Sequence, residues 1–188
     1  MNHQEVLNRL EEGNTRFVAD KLDGKLQDST RRDELTAGQK PHTIVLSCAD
    51  SRVVPELAFD AGLGELFVVR VAGNVANTSS LASIEYAVAH LGSSVIVVLG
   101  HQSCGAVTAA MAGGDNGHNL NHLLAHIGPA ISQCHEGSTV NEVVKANARV
   151  TGQEMLSRSA IVRGAVEKGD VVIVPAYYNL DSGKVDFL

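Results

Sequence analysis

The amino-acid sequence predicts an α/β fold, in which helices flank a central and mostly parallel β-sheet. Three apolar runs rich in β-branched residues, at 43–46, 66–71 and 94–99, do not alternate between apolar and polar residues. Such runs are typical of strands that are buried on both faces of a parallel sheet. A helical pattern at 79–90 precedes the third run, so we expect right-handed βαβ crossovers.

The remaining elements follow from periodicity, capping residues and turn residues. Amphipathic spacing and possible N-caps predict helices at 2–19, 119–134 and 139–168. The segment 20–40 is polar, and we predict that it forms an arm that follows the N-terminal helix and lies over the core or over a partner. An apolar run at 171–178 predicts another strand, and the turn at 181–183 leads into a C-terminal antiparallel hairpin strand at 184–187.

The length of 188 residues suits one domain with a sizeable core. We therefore predict a single domain over 1–188, with the N-terminal helix and arm at 1–40 and the α/β core at 41–188. No internal repeat or low-complexity tract divides the chain.

Charge and hydropathy exclude several classes of function. The net charge of −6 disfavours nucleic acid as a partner. No apolar run approaches the ~20 residues of a membrane span, and the first residues lack the basic and apolar regions of a signal peptide. We therefore expect a cytoplasmic protein that binds neither nucleic acid nor a membrane.

A split set of soft metal ligands carries the functional information. Cys48 follows the first predicted strand, and His101 and Cys104 follow the third. Because ligands of such sheets bind beyond the carboxyl ends of the strands, at a switch in strand order, we expect these side chains to converge. Two thiolates and an imidazole suit tetrahedral Zn(II) and leave a fourth coordination position.

Each of these residues also has an ordinary structural interpretation. A single cysteine at a strand end is usually a small buried apolar residue, and a single histidine is usually only hydrogen-bonded. A disulfide between Cys48 and Cys104 is a weaker alternative, since three cysteines without a secretory segment indicate a reducing compartment. Three donors at matching positions together favour metal binding.

Asp50 and Arg52 lie just after the first ligand and are expected to control the fourth position. A carboxylate there would close the site, whereas a water molecule would be acidified by the metal. Arg52 can hold Asp50 through two parallel hydrogen bonds, which would keep the carboxylate off the metal. The alternative is an ordinary surface ion pair, which contributes little.

At these residues the sequence resembles the β-class carbonic anhydrases. The C-x-D-x-R and G-H-x-x-C-G motifs of that family are matched by Cys48, Asp50 and Arg52, and by Gly100, His101, Cys104 and Gly105. The similarity extends to 10–17, 64–74 and 83–88 and so covers nearly the whole chain. Members of the family are carbonate dehydratases, lyases that hydrate CO2 reversibly to bicarbonate and a proton.

The resemblance implies a role for each matched position. The ligands of one Zn(II) per subunit would be Cys48, His101 and Cys104. Asp50 and Arg52 would form the catalytic dyad beside a zinc-bound hydroxide that attacks CO2, and Asp50 would be a fourth ligand in a closed state. The residues that bind CO2 or bicarbonate would be Gln39, Val45, Phe67, Tyr86 and Gly105. Because the family shares this pocket between subunits, a homodimer or tetramer is also implied.

The resemblance favours the plant-like subtype with an open zinc site. The second subtype has a tryptophan three residues before the first ligand, where this chain has Val45, and the chain contains no tryptophan. Two alternatives stay open: a hydrolase of carbonyl sulfide or carbon disulfide on the same scaffold, and a non-catalytic regulatory zinc protein. The latter would be expected to lack Asp50 or Arg52, and both are present. A zinc deaminase and a Rossmann enzyme are disfavoured because their motifs are absent.

Overall fold

The computed structural model describes residues 1–188 and is built on one five-stranded sheet in the order β2-β1-β3-β4-β5. The strands are β1 (Thr43–Ser47), β2 (Leu66–Arg70), β3 (Val95–His101), β4 (Val172–Tyr178) and β5 (Val185–Phe187). The first four strands are parallel, and β5 pairs with β4 in the antiparallel direction. The predicted fold class, with its N-terminal helix and C-terminal antiparallel strand, is confirmed.

Nine α-helices flank this sheet. They are α1 (His3–Val18), α2 (Ser29–Glu34), α3 (Pro55–Ala58), α4 (Thr78–Tyr86), α5 (Gly105–Ala112), α6 (His118–Ala125), α7 (Gly128–Gln133), α8 (Val140–Arg158) and α9 (Ala160–Glu167). A 3-10 turn covers Ala72–Asn74, and a π-helical turn, Ala87–Leu91, extends α4. None of the helices combines the length and the apolarity needed to cross a membrane.

Two helices that the sequence predicts as continuous are divided in the structure. The predicted helix at 119–134 breaks between α6 and α7, where Pro129 lies in the first turn of α7 and has no backbone N–H to extend the earlier helix. The predicted helix at 139–168 breaks at Ser159, which has extended backbone angles (φ −118°, ψ 114°). The Ser159 side chain accepts a hydrogen bond from the Val162 N–H, so it caps α9 instead of continuing α8.

Alternate residues of β1 pack into cores on opposite faces of the sheet. On one face, Val45 belongs to the same buried cluster as Leu10 of α1. On the other face, Ile44 and Leu46 pack in a cluster that contains Met155 of α8. Because both faces are covered, all five residues of β1 are buried, which explains why its sequence does not alternate.

The strand order reverses at β1, which lies between β2 and β3. From β1 the chain first forms β2 on one side of β1 and later forms β3 on the other side. The loops that follow β1 and β3 therefore run in opposite directions. A crevice at such a switch point is the usual ligand site of an open α/β sheet. Ser47 pairs with Leu99, so Cys48 leaves β1 close to the level at which β3 ends in His101.

A single buried side chain connects α1 to the C-terminal part of the chain. Asn14 is 5% exposed, and its Nδ2 donates hydrogen bonds to the carbonyl oxygens of Ala58 (3.0 Å) and Gly183 (2.9 Å). Its Oδ1 accepts a hydrogen bond from the N–H of Val185 at 2.8 Å. These three contacts anchor α1 to α3 and to the start of β5.

We expect Asn14→Ala to lower the free energy of unfolding by about 3 kcal/mol, because three buried backbone groups lose their hydrogen-bond partner. Asn8→Ala is the matched control, since Asn8 is an exposed residue of the same helix, and its effect should stay within about 0.5 kcal/mol. Urea unfolding monitored by circular dichroism measures both changes. Equal losses for the two variants would contradict the anchoring role of Asn14.

Candidate metal centre

The three predicted metal ligands converge at the carboxyl edge of the sheet. Cys48 directly follows β1, His101 is the last residue of β3, and Cys104 precedes the first turn of α5. Their ligand atoms all lie within 4.8 Å of one another. All three side chains are buried, so the cluster lies inside the protein, at the end of the paired strands β1 and β3.

The imidazole of His101 is oriented for a metal ion. Its Nδ1 lies 2.9 Å from the carbonyl oxygen of Gln102, which requires that Nδ1 carries the proton and donates it. The opposite nitrogen, Nε2, is buried and has no hydrogen-bond partner in the protein. A buried acceptor without a partner is costly, and a metal ion in front of Nε2 removes that cost.

The side chains of Cys48 and Cys104 are hydrogen-bonded to each other. The Cys104 thiol donates to the sulfur of Cys48, and this hydrogen bond holds the pKa of Cys48 well below its usual range. The same hydrogen bond raises the pKa of Cys104, and burial and the negative charge on Cys48 raise it further. A cation between the sulfurs would replace the shared proton, since metal ligation requires both thiols to be deprotonated. Neither cysteine is in a disulfide, so the disulfide alternative is not the arrangement found.

Asp50 is held by Arg52 in the paired geometry. Arg52 donates from Nε to Oδ1 (2.9 Å), from Nη2 to Oδ2 (2.8 Å), and from its backbone N–H to Oδ1 (3.0 Å). These hydrogen bonds hold the pKa of Asp50 below its usual range, so the carboxylate is ionised at neutral pH. Asp50 Oδ2 also lies 3.8 Å from Nε2 of His101, directly beside the cluster.

Arg70 and Gly73 support the loop of Cys48, a role that the sequence analysis assigned to neither residue although both lie in the matched segment 64–74. The Arg70 side chain donates from Nε to the carbonyl oxygen of Cys48 (3.0 Å) and from Nη2 to that of Asp50 (2.6 Å). The backbone N–H of Gly73 donates to the sulfur of Cys48 at 3.3 Å. These contacts fix the loop after β1, and only the pairing of β2 with β1 brings them within reach.

The two residues between His101 and Cys104 also have defined contacts, although their positions in the motif are variable. The Gln102 side chain donates to Asp181 (2.7 Å) and accepts from the N–H of Leu180 (2.9 Å). Ser103 has a φ of +54°, and its N–H donates to the side chain of Asn141 at 2.9 Å. The loop that carries two of the ligands is therefore held by the C-terminal turn and by α8.

The residues predicted to line a substrate pocket are spread over the subunit. Phe67 of β2 and Tyr86 of α4 face each other with ring centroids 6.4 Å apart, and Tyr86 is 51% exposed. Gly105 is exposed at the start of α5, next to a ligand. Val45 is fully buried in the core of the sheet. Gln39 is exposed and precedes β1 by four residues, whereas Cys48 directly follows that strand.

Comparison with known proteins identifies the family of the chain. The carbonic anhydrase family profile matches residues 43–185, a span that contains all three clustered ligands and the Asp50–Arg52 pair. The chain belongs to the carbonic anhydrase family. Carbonic anhydrase 2 of Mycobacterium tuberculosis is 40% identical over 181 residues, which are 93% of this chain and 87% of that protein. A carbonic anhydrase of Mycolicibacterium smegmatis is 38% identical over 183 residues, 94% of this chain and 89% of that protein.

The solved structures place the chain in the β class of carbonic anhydrases. The β-carbonic anhydrase of Coccomyxa superposes on this chain with a TM-score of 0.79 at 27% sequence identity. The superposition covers 93% of this chain and 82% of the Coccomyxa chain. A second β-carbonic anhydrase, from Sordaria macrospora, superposes with a TM-score of 0.77 at 22% sequence identity, and this superposition covers 98% of this chain and 97% of the Sordaria chain. The latter similarity concerns the fold alone.

The donor set of this carbonic anhydrase fits Zn(II). Tetrahedral coordination with bonds of about 2.3 Å to sulfur places two thiolates about 3.8 Å apart, which is compatible with ligand atoms that all lie within 4.8 Å of one another. The unpartnered Nε2 of His101 would supply the third ligand. Two thiolates and a neutral imidazole balance the charge of the ion, so the buried site would be electrically neutral.

We expect purified protein to retain a zinc ion after dialysis, and Cys104→Ala to lose it because one of three protein ligands is removed. Cys134→Ala is the matched control, since Cys134 is a half-buried thiol that does not belong to the cluster. Elemental analysis by mass spectrometry gives the zinc content of each variant. Retention of zinc by Cys104→Ala would show that the ion is held elsewhere.

Proposed function

We propose that this protein is a zinc-dependent carbonic anhydrase, a lyase that interconverts CO2 and water with bicarbonate and a proton. The proposal depends above all on one observation, which is the convergence of Cys48, His101 and Cys104 beside an Asp50 carboxylate that is already paired with an arginine. The similarity to named carbonic anhydrases over more than nine tenths of the chain supports the same reaction.

The roles assigned to the ligands and to the dyad follow from this geometry. Zinc, when bound with one ion per subunit, supplies a Lewis acid that acidifies a water molecule in the fourth position. The Asp50 carboxylate would accept a hydrogen bond from the reacting water and so orient its lone pair toward CO2. Arg52 keeps Asp50 ionised and holds it at a fixed position, and Arg70 fixes the backbone on which Asp50 lies.

An open zinc site is the proposed state at neutral pH. Both oxygens of Asp50 accept hydrogen bonds from Arg52, and a shift onto the metal would break at least one of them. The ion pair favours the open state because these charge-assisted hydrogen bonds are among the stronger ones in proteins. The position at which the other subtype carries tryptophan is Val45, which supports the same assignment.

The proposed substrate pocket is shared between subunits. Phe67 and Tyr86 form its apolar wall for CO2, and Gly105 leaves room beside the ligand Cys104. Gln39 precedes β1 and Cys48 follows it, so we assign the proposed hydrogen bond of Gln39 with CO2 or bicarbonate to the pocket of a partner subunit. Val45, which is buried behind the site, would shape the pocket only through the packing of β1.

Asp50→Ala should abolish most CO2 hydration while zinc is retained, because the three metal ligands are intact and only the orienting carboxylate is lost. A decrease of about 100-fold or more is expected. Asp33→Ala, which removes an exposed carboxylate of α2, is the control and should keep full activity. Stopped-flow hydration between pH 6.5 and 9, with zinc content measured in parallel, provides the rates.

Wild-type activity at neutral pH would support the open site. Activity that appears only at high pH would instead place Asp50 on the metal, because hydroxide must then displace the carboxylate. A zinc-loaded wild type that is inactive across the whole range would overturn the proposed reaction.

Self-association through the β2 edge of the sheet is part of the proposal. β2 is an edge strand with half-exposed residues, and a cleft of about 600 Å³ beside it is lined in part by Leu57, Leu63 and Leu66. Leu57 and Leu63 are 46% and 41% exposed, and an apolar patch next to an open strand edge is typical of a protein interface. A homodimer or tetramer would cover it, and the Sordaria macrospora relative is described as tetrameric.

Leu57→Glu should dissociate the assembly, because it places a charge in the apolar patch beside β2. Ile161→Glu is the matched control, since Ile161 on α9 is also 46% exposed but lies outside that patch. Sedimentation velocity gives the mass of each variant. A monomeric wild type, or equal dissociation of both variants, would contradict an interface at this edge.

We further infer that residues 1–188 act as one domain and that the protein works in the cytoplasm. The contacts of Asn14 with Ala58, Gly183 and Val185 connect the N-terminal helix to the α/β core. The free thiols of Cys48 and Cys104 suit a reducing compartment, in which they remain available to zinc.

A further inference from the structure

Asn147 is a fully buried polar residue of α8 that none of the sequence motifs includes. Its side chain is 0% exposed, and Nδ2 donates a hydrogen bond to the carbonyl oxygen of Gly73 at 2.9 Å. Its Oδ1 is buried without a partner. A half-satisfied buried amide costs free energy relative to an apolar residue, so global stability gives little reason for an asparagine at this position.

Gly73 is the residue through which Asn147 reaches the metal centre. It lies in the 3-10 turn after β2 with a φ of +71°, which an L side chain rarely adopts. A Cβ there would lie 3.0 Å from Ile127 and 3.3 Å from Ala106, so the turn is tightly packed. The N–H of Gly73 donates to the sulfur of Cys48 at 3.3 Å. The same residue thus accepts from Asn147 and donates to a metal ligand.

We propose that Asn147 is a positioning residue of the zinc site, which holds the Gly73 turn so that its N–H stays directed at the Cys48 sulfur. This inference rests on the proposed zinc-dependent function and adds a residue that regulates how strongly zinc is held. The connection consists of two hydrogen bonds, Asn147 to Gly73 and Gly73 to Cys48, and joins α8 to the end of β1.

The expected effect on zinc follows from the position of the Cys48 sulfur. The hydrogen bond from the Gly73 N–H fixes the sulfur of Cys48 at the position from which it would bind zinc. When the Gly73 N–H turns away, the sulfur loses one of the contacts that fix its position. Loss of an outer hydrogen bond of this kind typically weakens metal binding by about 10- to 100-fold.

The test uses Asn147→Ala with Thr151→Ala as its matched control. Thr151 is a buried polar residue one turn further along α8, and no hydrogen bond joins it to Gly73. Competition with a chromophoric chelator measures the zinc dissociation constant of each folded variant. We expect Asn147→Ala to raise it by about ten-fold or more, whereas Thr151→Ala stays close to wild type.

A spectroscopic readout separates positioning of the ligand from a general loss of stability. In the cobalt-substituted protein, the sulfur-to-cobalt charge-transfer band should shift in Asn147→Ala and stay unchanged in Thr151→Ala. Asn147→Asp, which keeps the shape of the side chain but replaces the N–H donor by oxygen, is the second variant if the alanine variant does not fold. It should shift the same band in the same direction.

The wild-type protein offers a measurement that needs no substitution. Loaded with cadmium-113, it should show a scalar coupling between the metal and the amide proton of Gly73, transmitted through the hydrogen bond to Cys48. Absence of this coupling would remove the second step of the connection and overturn the proposal.

The remaining outcomes distinguish this inference from the proposed function. Unchanged zinc affinity and an unchanged cobalt spectrum in both Asn147 variants would overturn the positioning role, as would equal changes in Thr151→Ala. A wild type that binds no zinc would overturn the proposed function itself. Zinc binding by the wild type, together with a selective loss in Asn147→Ala, supports both.

Discussion

The parallel pairing of β1 with β3 is the constraint on which the rest of the structure depends. With Ser47 opposite Leu99, the chain leaves β1 as Cys48 almost level with the end of β3 at His101. A slip of one residue would turn every side chain of β1 to the other face and place the cysteine away from the cluster. The apolar residues that bury both faces of β1 therefore also set the geometry of the metal centre.

The cluster is supported mainly by backbone and side-chain hydrogen bonds to the segments that carry its ligands. Arg70 holds the carbonyl oxygens after β1, Gly73 contacts one ligand sulfur, and Gln102 holds the loop of the other two ligands. Such outer contacts orient ligands before the ion arrives, so less conformational entropy is lost on binding. The exposed part of the arrangement is the guanidinium of Arg52, whose side chain is 54% exposed while that of Asp50 is 17% exposed. Arg52 thus lies on the solvent side of the ion pair, and Asp50 lies beside the cluster.

The sequence predicted the parallel strands and the convergence of Cys48, His101 and Cys104, because both follow from local patterns and from the geometry of parallel sheets. The division of two predicted helices was missed, since the amphipathic pattern continues across Pro129 and Ser159 although the backbone does not. Asn147 was missed for a different reason. Its partner Gly73 lies 74 residues away, and neither residue type signals a metal site by itself.

The anchoring of α1 has a consequence for how the chain acquires its structure. Asn14 finds its carbonyl and amide partners at residues that follow it by 169 and 171 positions, so these bonds close one of the longest loops in the molecule. Contacts of such high sequence separation form late, because the entropy of loop closure must be overcome before they contribute. During synthesis, α1 emerges from the ribosome well before Gly183 and Val185. Until Gly183 and Val185 have been synthesised, Asn14 lacks these hydrogen-bond partners. The apolar face of α1 is then available to chaperones or to another chain.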